Sequence, residues 1–246
     1  MVAYFVGNLI ESTAVVGPAP LPDGSRNEHQ KGDGMDGARR ERIVASIAGC
    51  SRLHLGCGFN FVPDWINVGL FEDSFLAYGC ASYNNGLVLH LDVTRDFPFP
   101  DESLTAIYAS HFIEHFSFED GLAMVRTLRR ALAPGGIVRL TFPDLERWTK
   151  SYCENDTAFF EKYRAFFLNA PDTLVRTKGE IFMSQLHGWG HKWGYDGESM
   201  QHLLTLAGFS EIARKPPFES AIQDIARLES NWEGRLMETC YVEASK

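Results

Sequence analysis

The chain lacks several features that would assign it to common classes of protein. Its 246 residues include 23 Lys and Arg against 32 Asp and Glu, for a formal net charge of -9. Proteins that bind nucleic acid need a basic face for the phosphates, so we expect no nucleic-acid partner. No apolar run approaches the roughly 20 residues that span a bilayer, so we expect no membrane association.

Cysteine usage excludes two further classes. The five cysteines are an odd number and contain no C-x-x-C pair, which indicates neither a disulfide framework nor a structural zinc site. Residues 1–10 are apolar but lack the basic stretch and the cleavage site of a signal peptide. We therefore expect a cytoplasmic protein with reduced thiols.

Composition along the chain predicts two parts. Residues 1–36 are predicted to be a flexible N-terminal segment, because residues 17–37 are dense in Gly, Pro, Asp and Asn. Residues 37–246 are predicted to form a single α/β domain. Within it, residues 145–195 are rich in aromatics and carry no strand pattern, which indicates a helical insertion.

Apolar runs predict the order of strands and helices. The candidate strands are 51–56, 65–70, 87–92, 104–110 and 137–142, followed by 209–214 and 236–244. The candidate helices include 37–49, a segment capped by Ser117 and ended by Pro134-Gly135-Gly136, and 197–207. Alternation of strands and helices implies right-handed crossovers and a mostly parallel sheet.

The most informative motif is the run Leu53-His54-Leu55, which leads directly into Gly56-Cys57-Gly58. The run is typical of a buried parallel strand, and the glycines indicate a sharp turn at its carboxyl end. Without side chains, the backbone N–H groups of such a turn can approach a ligand closely. Ligands of open α/β sheets bind at the carboxyl ends of strands, so we expect a cofactor at this turn.

The turn does not match the dinucleotide fingerprint. That fingerprint needs a third small residue three positions after Gly58, and Phe61 stands there. A pyrophosphate also favours a helix N-terminus, but only six residues separate Gly58 from Trp65 and one of them is Pro63. A cofactor without phosphate fits the turn better.

Four motifs in order resemble the class I S-adenosylmethionine-dependent methyltransferases. They are Leu55-Gly56-Cys57-Gly58; Leu91-Asp92-Val93 with Phe97-Pro98-Phe99-Pro100-Asp101; Ile107 to His115; and Leu132-Ala133-Pro134-Gly135-Gly136. The resemblance implies a Rossmann-like, seven-stranded, mostly parallel sheet with an antiparallel edge hairpin and a helical insertion after strand five. It also implies S-adenosylmethionine as cofactor. The short link to Trp65-Ile66-Asn67-Val68 is similar to a branch of predicted bacterial small-molecule methyltransferases.

The resemblance also implies cofactor-binding residues. They are Gly56, Cys57, Gly58, Glu72, Asp92, Val93 and His111. One departure concerns the end of the second strand, where the family has an acidic residue for the ribose hydroxyls and this chain has Gly69. Glu72 or Asp73 is the candidate replacement.

Histidines supply the candidate catalytic groups. They are His111, which the resemblance places at the strand end that faces the transferable methyl group, and His187 and His191, on a loop predicted to lie over the pocket. An imidazole can take a proton at neutral pH. His111 to His115 also matches the pattern H-x-x-E-H of some zinc peptidases. The two histidines are expected to straddle a strand end and a helix start, and no third ligand is identifiable near His187 and His191, so we expect no metal.

The sequence therefore predicts methyl transfer to a small-molecule acceptor, with a hydroxyl of a saccharide or related metabolite as one candidate and residues 145–195 as its pocket. Alternatives stay open: a non-catalytic protein that retains the fold, an NAD-linked oxidoreductase, and a protein or RNA methyltransferase, which the acidic charge disfavours.

Overall fold

One sheet of eight strands runs through the computed structural model, which describes residues 37–70, 80–83, 86–168 and 174–246. The strands are β1 (Arg52–Leu55), β2 (Ile66–Gly69), β3 (Cys80–Tyr83), β4 (Gly86–His90), β5 (Leu104–Ser110), β6 (Leu132–Pro143), β7 (Ser210–Arg214) and β8 (Thr239–Ser245). Their order across the sheet is β3-β4-β2-β1-β5-β6-β8-β7. The predicted flexible segment 1–36 lies outside the described residues.

The predicted Rossmann-like architecture is confirmed. Strands β4, β2, β1, β5 and β6 are parallel, β8 pairs antiparallel with β6, and β7 pairs antiparallel with β8. These seven strands are the expected ones. The eighth, β3, pairs antiparallel with β4 at the opposite edge. We did not predict β3, because its four residues include no β-branched side chain that would indicate a strand.

The described residues also form seven α-helices. They are α1 (Gly37–Ser46), α2 (Phe118–Ala131), α3 (Leu145–Cys153), α4 (Thr157–Phe167), α5 (Lys178–His187), α6 (Gly197–Leu206) and α7 (Glu233–Glu238). Helix α7 corrects the predicted strand 236–244, whose first three residues are helical. Across the described ranges, every helix is too short or too polar to cross a bilayer.

The predicted insertion is helical and has its own core. Helices α3, α4 and α5 surround Trp148, which is buried. Its indole meets the rings of Phe159 and Tyr163 edge-on, with centroids 4.8 and 4.6 Å away. Edge-to-face packing of this kind adds to the burial of apolar area. The insertion follows directly from the carboxyl end of β6, so it stands at the edge of the sheet where a ligand is expected.

Arg139, in the middle of β6, anchors the segment 215–230 to the sheet. The side chain is fully buried, and its Nε donates to Glu229 Oε1 at 2.5 Å. Its Nη atoms donate to the carbonyl oxygens of Glu219 and Pro216, each at 3.0 Å, and Nη1 lies 3.5 Å from Glu243 Oε2. The partners compensate the burial of the Arg139 charge. Without Arg139, the carboxylates of Glu229 and Glu243 would lose their cation.

We expect Arg139→Met to lower the free energy of unfolding by about 3–5 kcal/mol, because Glu229 and Glu243 would stay buried without their partner. Urea denaturation measures the change. Lys162→Met is the control, since it removes an ion pair with Glu233 whose two side chains are both more than half exposed, and such pairs are worth about 0–1 kcal/mol. Equal losses in the two variants would contradict the assignment.

Candidate active site

The order of strands in the sheet reverses between β1 and β5. From β1 the chain continues through β2 toward β4 on one side, whereas β5 lies on the other side and leads to β6. Such a reversal opens a crevice at the carboxyl ends of the strands, where ligands of open α/β sheets bind. The turns after β1 and β5 meet there, since a Cβ atom on Gly56 would lie 3.2 Å from Cδ2 of Phe112.

The turn after β1 has the backbone that only glycine adopts readily. Gly56 and Gly58 have φ angles of +62° and +52°, a region that costs residues with a Cβ about 1–2 kcal/mol. Cys57, between them, is buried, and its N–H donates to the carbonyl oxygen of Val68 at 3.1 Å. Burial raises the pKa of the Cys57 thiol, so the sulfur is neutral and the residue contributes its backbone.

The buried Asn67 on β2 organises the link from β1 to β2. Its Oδ1 accepts the N–H of Val62 at 2.9 Å, and its Nδ2 donates to the carbonyl oxygens of Val62 and Trp65 at 3.0 Å. The link between Leu55 and Ile66, all of it described, contains no helix. This confirms the expectation that no helix N-terminus is available for a pyrophosphate.

Asp92 and Val93 follow β4 at the same edge of the sheet. The Asp92 carboxylate accepts the N–H of Thr94 at 3.0 Å and lies 3.3 Å from Nε of Arg95, while Val93 is buried. The structure therefore places Asp92 and Val93 at the carboxyl ends of the parallel strands, where the glycine turn also lies. Glu72, the candidate ribose partner, lies outside the described residues.

His111 is the first residue after β5 and is held by its neighbours on both ring nitrogens. Its φ is +48°, and its ring is buried. Nη1 of Arg235 lies 3.1 Å from Nδ1, and Oγ1 of Thr239 lies 3.0 Å from Nε2. Because a guanidinium only donates, Nδ1 accepts and the proton resides on Nε2. Burial and the nearby Arg235 cation lower the pKa of His111 well below its usual value, so the ring is neutral.

Glu114 is the most unusual group at the site. The residue is buried, and neither carboxylate oxygen has a hydrogen-bond partner in the described structure. Oε1 lies 3.4 Å from Nδ1 of His111 and 3.9 Å from Nε2 of His191. Burial raises the pKa of Glu114 to about 8, because the charged form loses its hydration.

His191 is brought to the same place from the far end of the insertion. Its Nδ1 lies 2.6 Å from the carbonyl oxygen of Gln185, so Nδ1 carries the proton and Nε2 keeps a lone pair. Burial lowers the pKa of His191 to about 4. Its ring contacts His115 edge-on, with centroids 5.0 Å apart. His187, in contrast, is exposed in the last turn of α5.

Sequence reasoning missed two groups that hold this cluster. Arg235 and Glu238, on α7, lie 3.1 Å apart between Nη1 and Oε1. Glu238 is buried, and burial raises its pKa to about 7. Both residues lie more than 120 positions after His111, Glu238 within the predicted strand 236–244 and Arg235 just before it, and no local pattern links them to the site.

The chain is similar to one protein-family model and to several solved structures. Residues 53–140 match the family model described as a methyltransferase domain. An S-adenosylmethionine-dependent methyltransferase structure from Archaeoglobus fulgidus is 16% identical, with 85% of this chain and 92% of the other covered and a TM-score of 0.46. One from Mesorhizobium loti is 18% identical, with 85% and 99% covered and a TM-score of 0.44.

A putative O-methyltransferase structure from Nostoc punctiforme is 14% identical, with 85% of this chain and 56% of the other covered and a TM-score of 0.45. Among curated proteins, none matches the chain.

Over residues 53–140 the chain is similar to the methyltransferase domain family, which supports an S-adenosylmethionine-dependent methyltransferase domain there. The site fits this cofactor, because two glycines with left-handed backbone leave the turn after β1 open to a close ligand. Gly56, Cys57 and Gly58 would hold the amino-acid end of the cofactor. The branch with the short link to Trp65 stays a prediction.

We expect Gly58→Val to abolish binding of S-adenosylhomocysteine, measured by calorimetry, because a branched Cβ at φ +52° deforms the turn. Gly135→Val is a matched control, because Gly135 also has a positive φ, +75°, and an added Cβ there meets nothing within 4 Å. Gly135 lies near the amino end of β6, away from the carboxyl ends of the parallel strands. Unchanged affinity in the Gly58 variant would refute the placement of the cofactor.

His54, which is buried on β1 before the glycine turn, is expected to make the stability of the protein depend on pH. Burial lowers its pKa to about 4, so between the usual 6.5 and 4 the unfolded chain binds a proton that the folded chain does not. Stability is therefore lost as the pH falls through this window, by about 3 kcal/mol from this group alone.

We expect His54→Gln to remove this part of the acid sensitivity. Urea denaturation between pH 7 and pH 4 measures the slope of the unfolding free energy against pH. The control is His202→Gln, which changes an exposed histidine of α6 and should leave the wild-type slope. A His54 variant with the wild-type slope would be inconsistent with a neutral buried imidazole.

Proposed function

We propose that this chain transfers the methyl group of S-adenosylmethionine to a hydroxyl of a small acceptor, such as a saccharide or a related metabolite. The observation that carries the proposal is a pair of exposed indoles, Trp189 and Trp193, on the loop that also supplies His191. A small cytoplasmic acceptor, without nucleic acid or membrane, agrees with the acidic net charge.

Trp189 is held in a conformation that is costly for a large side chain. Its φ is +60°, inside the short helical turn Gly188–Gly190. Left-handed backbone at a bulky residue is a marked outlier, and such outliers cluster at functional sites. The turn is closed by the N–H of His191, which donates to the carbonyl oxygen of Gly188 at 3.0 Å.

The two indoles suit an acceptor with an apolar face and polar edges. Trp189 is 41% exposed and Trp193 45% exposed, and the Trp193 ring also packs against Phe118 with centroids 5.7 Å apart. The flat face of an indole packs well against the C–H face of a sugar ring. The insertion 145–195 would thus form the acceptor pocket.

The cofactor supplies an electrophilic methyl group when bound, so the protein's contribution is to position the acceptor oxygen about 3 Å from it. A base that takes the hydroxyl proton adds about 10²–10⁴-fold. His111 has both nitrogens engaged, which suits a positioning residue. His187 and His191 are the candidate bases.

Transfer of radiolabelled methyl groups from S-adenosylmethionine to a panel of monosaccharides and glycosides tests the proposal. We expect Trp189→Ala to raise the acceptor KM at least about tenfold with little change in kcat, because stacking acts on binding. Trp189→Phe should keep most of the affinity. Met183→Ala, which changes an exposed apolar residue of α5, is the control.

Transfer to amines, RNA or protein instead would overturn the hydroxyl acceptor. Binding of S-adenosylhomocysteine with no transfer to any of these acceptors would favour a non-catalytic protein. Binding of NAD instead would favour the oxidoreductase.

A further inference from the structure

We propose that Glu114, His115 and His191 form a binding site for a divalent transition-metal ion. The three side chains come from two places: the short turn Ile113–His115 after β5 and the loop that ends the insertion. From the sequence, His111 and His115 were expected to straddle a strand end and a helix start, and no third ligand was identifiable near His187 and His191. The fold supplies a different set by joining one member of each pair to Glu114.

The geometry is that of an open three-ligand site. One ligand atom from each of the three side chains can be chosen so that all lie within 4.8 Å of one another, and Nε2 of His191 is 3.9 Å from Oε1 of Glu114. Around a zinc ion with ligands at about 2.0–2.2 Å, ligand atoms lie about 3.3 Å apart. Small side-chain rotations close the difference, since none of the three donors is on backbone.

The Glu114 carboxylate is an independent sign of a missing ligand. Both oxygens are buried without a hydrogen-bond donor in the described structure, although buried polar groups are almost always paired. Oε1 lies 3.4 Å from Nδ1 of His111 and 3.9 Å from Nε2 of His191. A cation bound between Glu114 and the imidazoles would satisfy this group.

His191 has the supporting bond that a metal ligand needs. A ligating imidazole typically donates its other N–H to a carbonyl or carboxylate, which fixes the ring and its tautomer. His191 does this through Nδ1, 2.6 Å from the carbonyl oxygen of Gln185. Gln185 is itself buried and accepts the hydroxyl of Tyr163 at 2.5 Å. The lone pair of His191 Nε2 therefore stays directed at Glu114.

A small cavity lies beside two of the three proposed ligands, Glu114 and His191. The cavity beside Glu114 and His191, with Trp148, Gln185 and Trp193 also on its wall, has a volume of about 20 Å³, enough for about one water molecule. Arg235, one of the cations beside the site, is paired with Glu238 at 3.1 Å, which offsets its charge.

Ligand chemistry defines the class of metal. Two imidazoles and one carboxylate suit Zn²⁺, Fe²⁺ or Co²⁺, whereas Mg²⁺ and Ca²⁺ prefer oxygen ligands. The site is independent of methyl transfer, because metal binding is a property of the protein alone. Its consequence rests on the proposed function: with Nε2 of His191 bound to the metal, His187 is the remaining candidate base.

Calorimetric titration of Zn²⁺ into the metal-free full chain at pH 7 tests the site. We expect one ion per chain, and an affinity reduced at least 100-fold in Glu114→Gln and in His191→Ala. His202→Ala, which changes an exposed histidine on α6, is the control and should bind like the wild type. Mg²⁺ should not compete at equal concentration.

The absorption spectrum of the Co²⁺-loaded wild type tests the same ligands without any variant. Weak visible bands with no thiolate charge-transfer band support a site of nitrogen and oxygen ligands. A strong charge-transfer band would place the metal on cysteines and overturn the proposal, as would the absence of Zn²⁺ binding or equal affinity in all variants. S-adenosylhomocysteine affinity, measured on each protein, reports separately on folding and on the cofactor site.

Discussion

The parallel pairing of β1 with both β2 and β5 is the constraint on which the rest of the site depends. Leu53 pairs with Ile66 on one side and with Ile107 on the other. Because all three strands are parallel, their carboxyl ends meet at one edge, and the reversal of strand order opens a crevice there. The glycine turn and His111 are neighbours for this reason alone, although about 50 residues separate them in the chain.

Buried polar groups divide into two kinds in this protein. Arg139 satisfies its neighbours through four contacts and holds the segment 215–230 against the sheet. The Glu114 carboxylate, in contrast, has no hydrogen bond in the described structure. Fully paired buried charges serve stability and specificity, whereas a buried carboxyl without a hydrogen bond is a cost that calls for a reason.

Much of the fold was predictable because local sequence patterns determine most of its strands and helices. Apolar runs marked seven strands, and the cap at Ser117 marked the start of α2, where its Oγ accepts the N–H of Asp120 at 3.1 Å. Strand β3 was not predictable from its short, weakly patterned sequence. Helix α7 was mistaken for strand because Leu236 and Met237 continue an apolar stretch into β8, and tertiary packing decides such cases.

The site was predictable only in part. The glycine turn predicted at which end of the sheet the site lies, but it did not predict which residues contact each histidine. His111 meets Arg235 and Thr239 from the end of the chain, and His191 reaches Glu114 across the insertion. Such contacts depend on the full topology, and so do the burial and the tautomers that set the chemistry of each ring.

The central claim is that the turn Gly56-Cys57-Gly58 holds S-adenosylmethionine with its sulfur facing the end of β5. A crystal structure with S-adenosylhomocysteine bound tests it most directly. The account predicts the amino-acid end of the ligand against the backbone of Gly56 to Gly58 and the sulfur beside the turn that begins at His111. A ligand bound anywhere else, or with its adenine at the glycine turn, would contradict it.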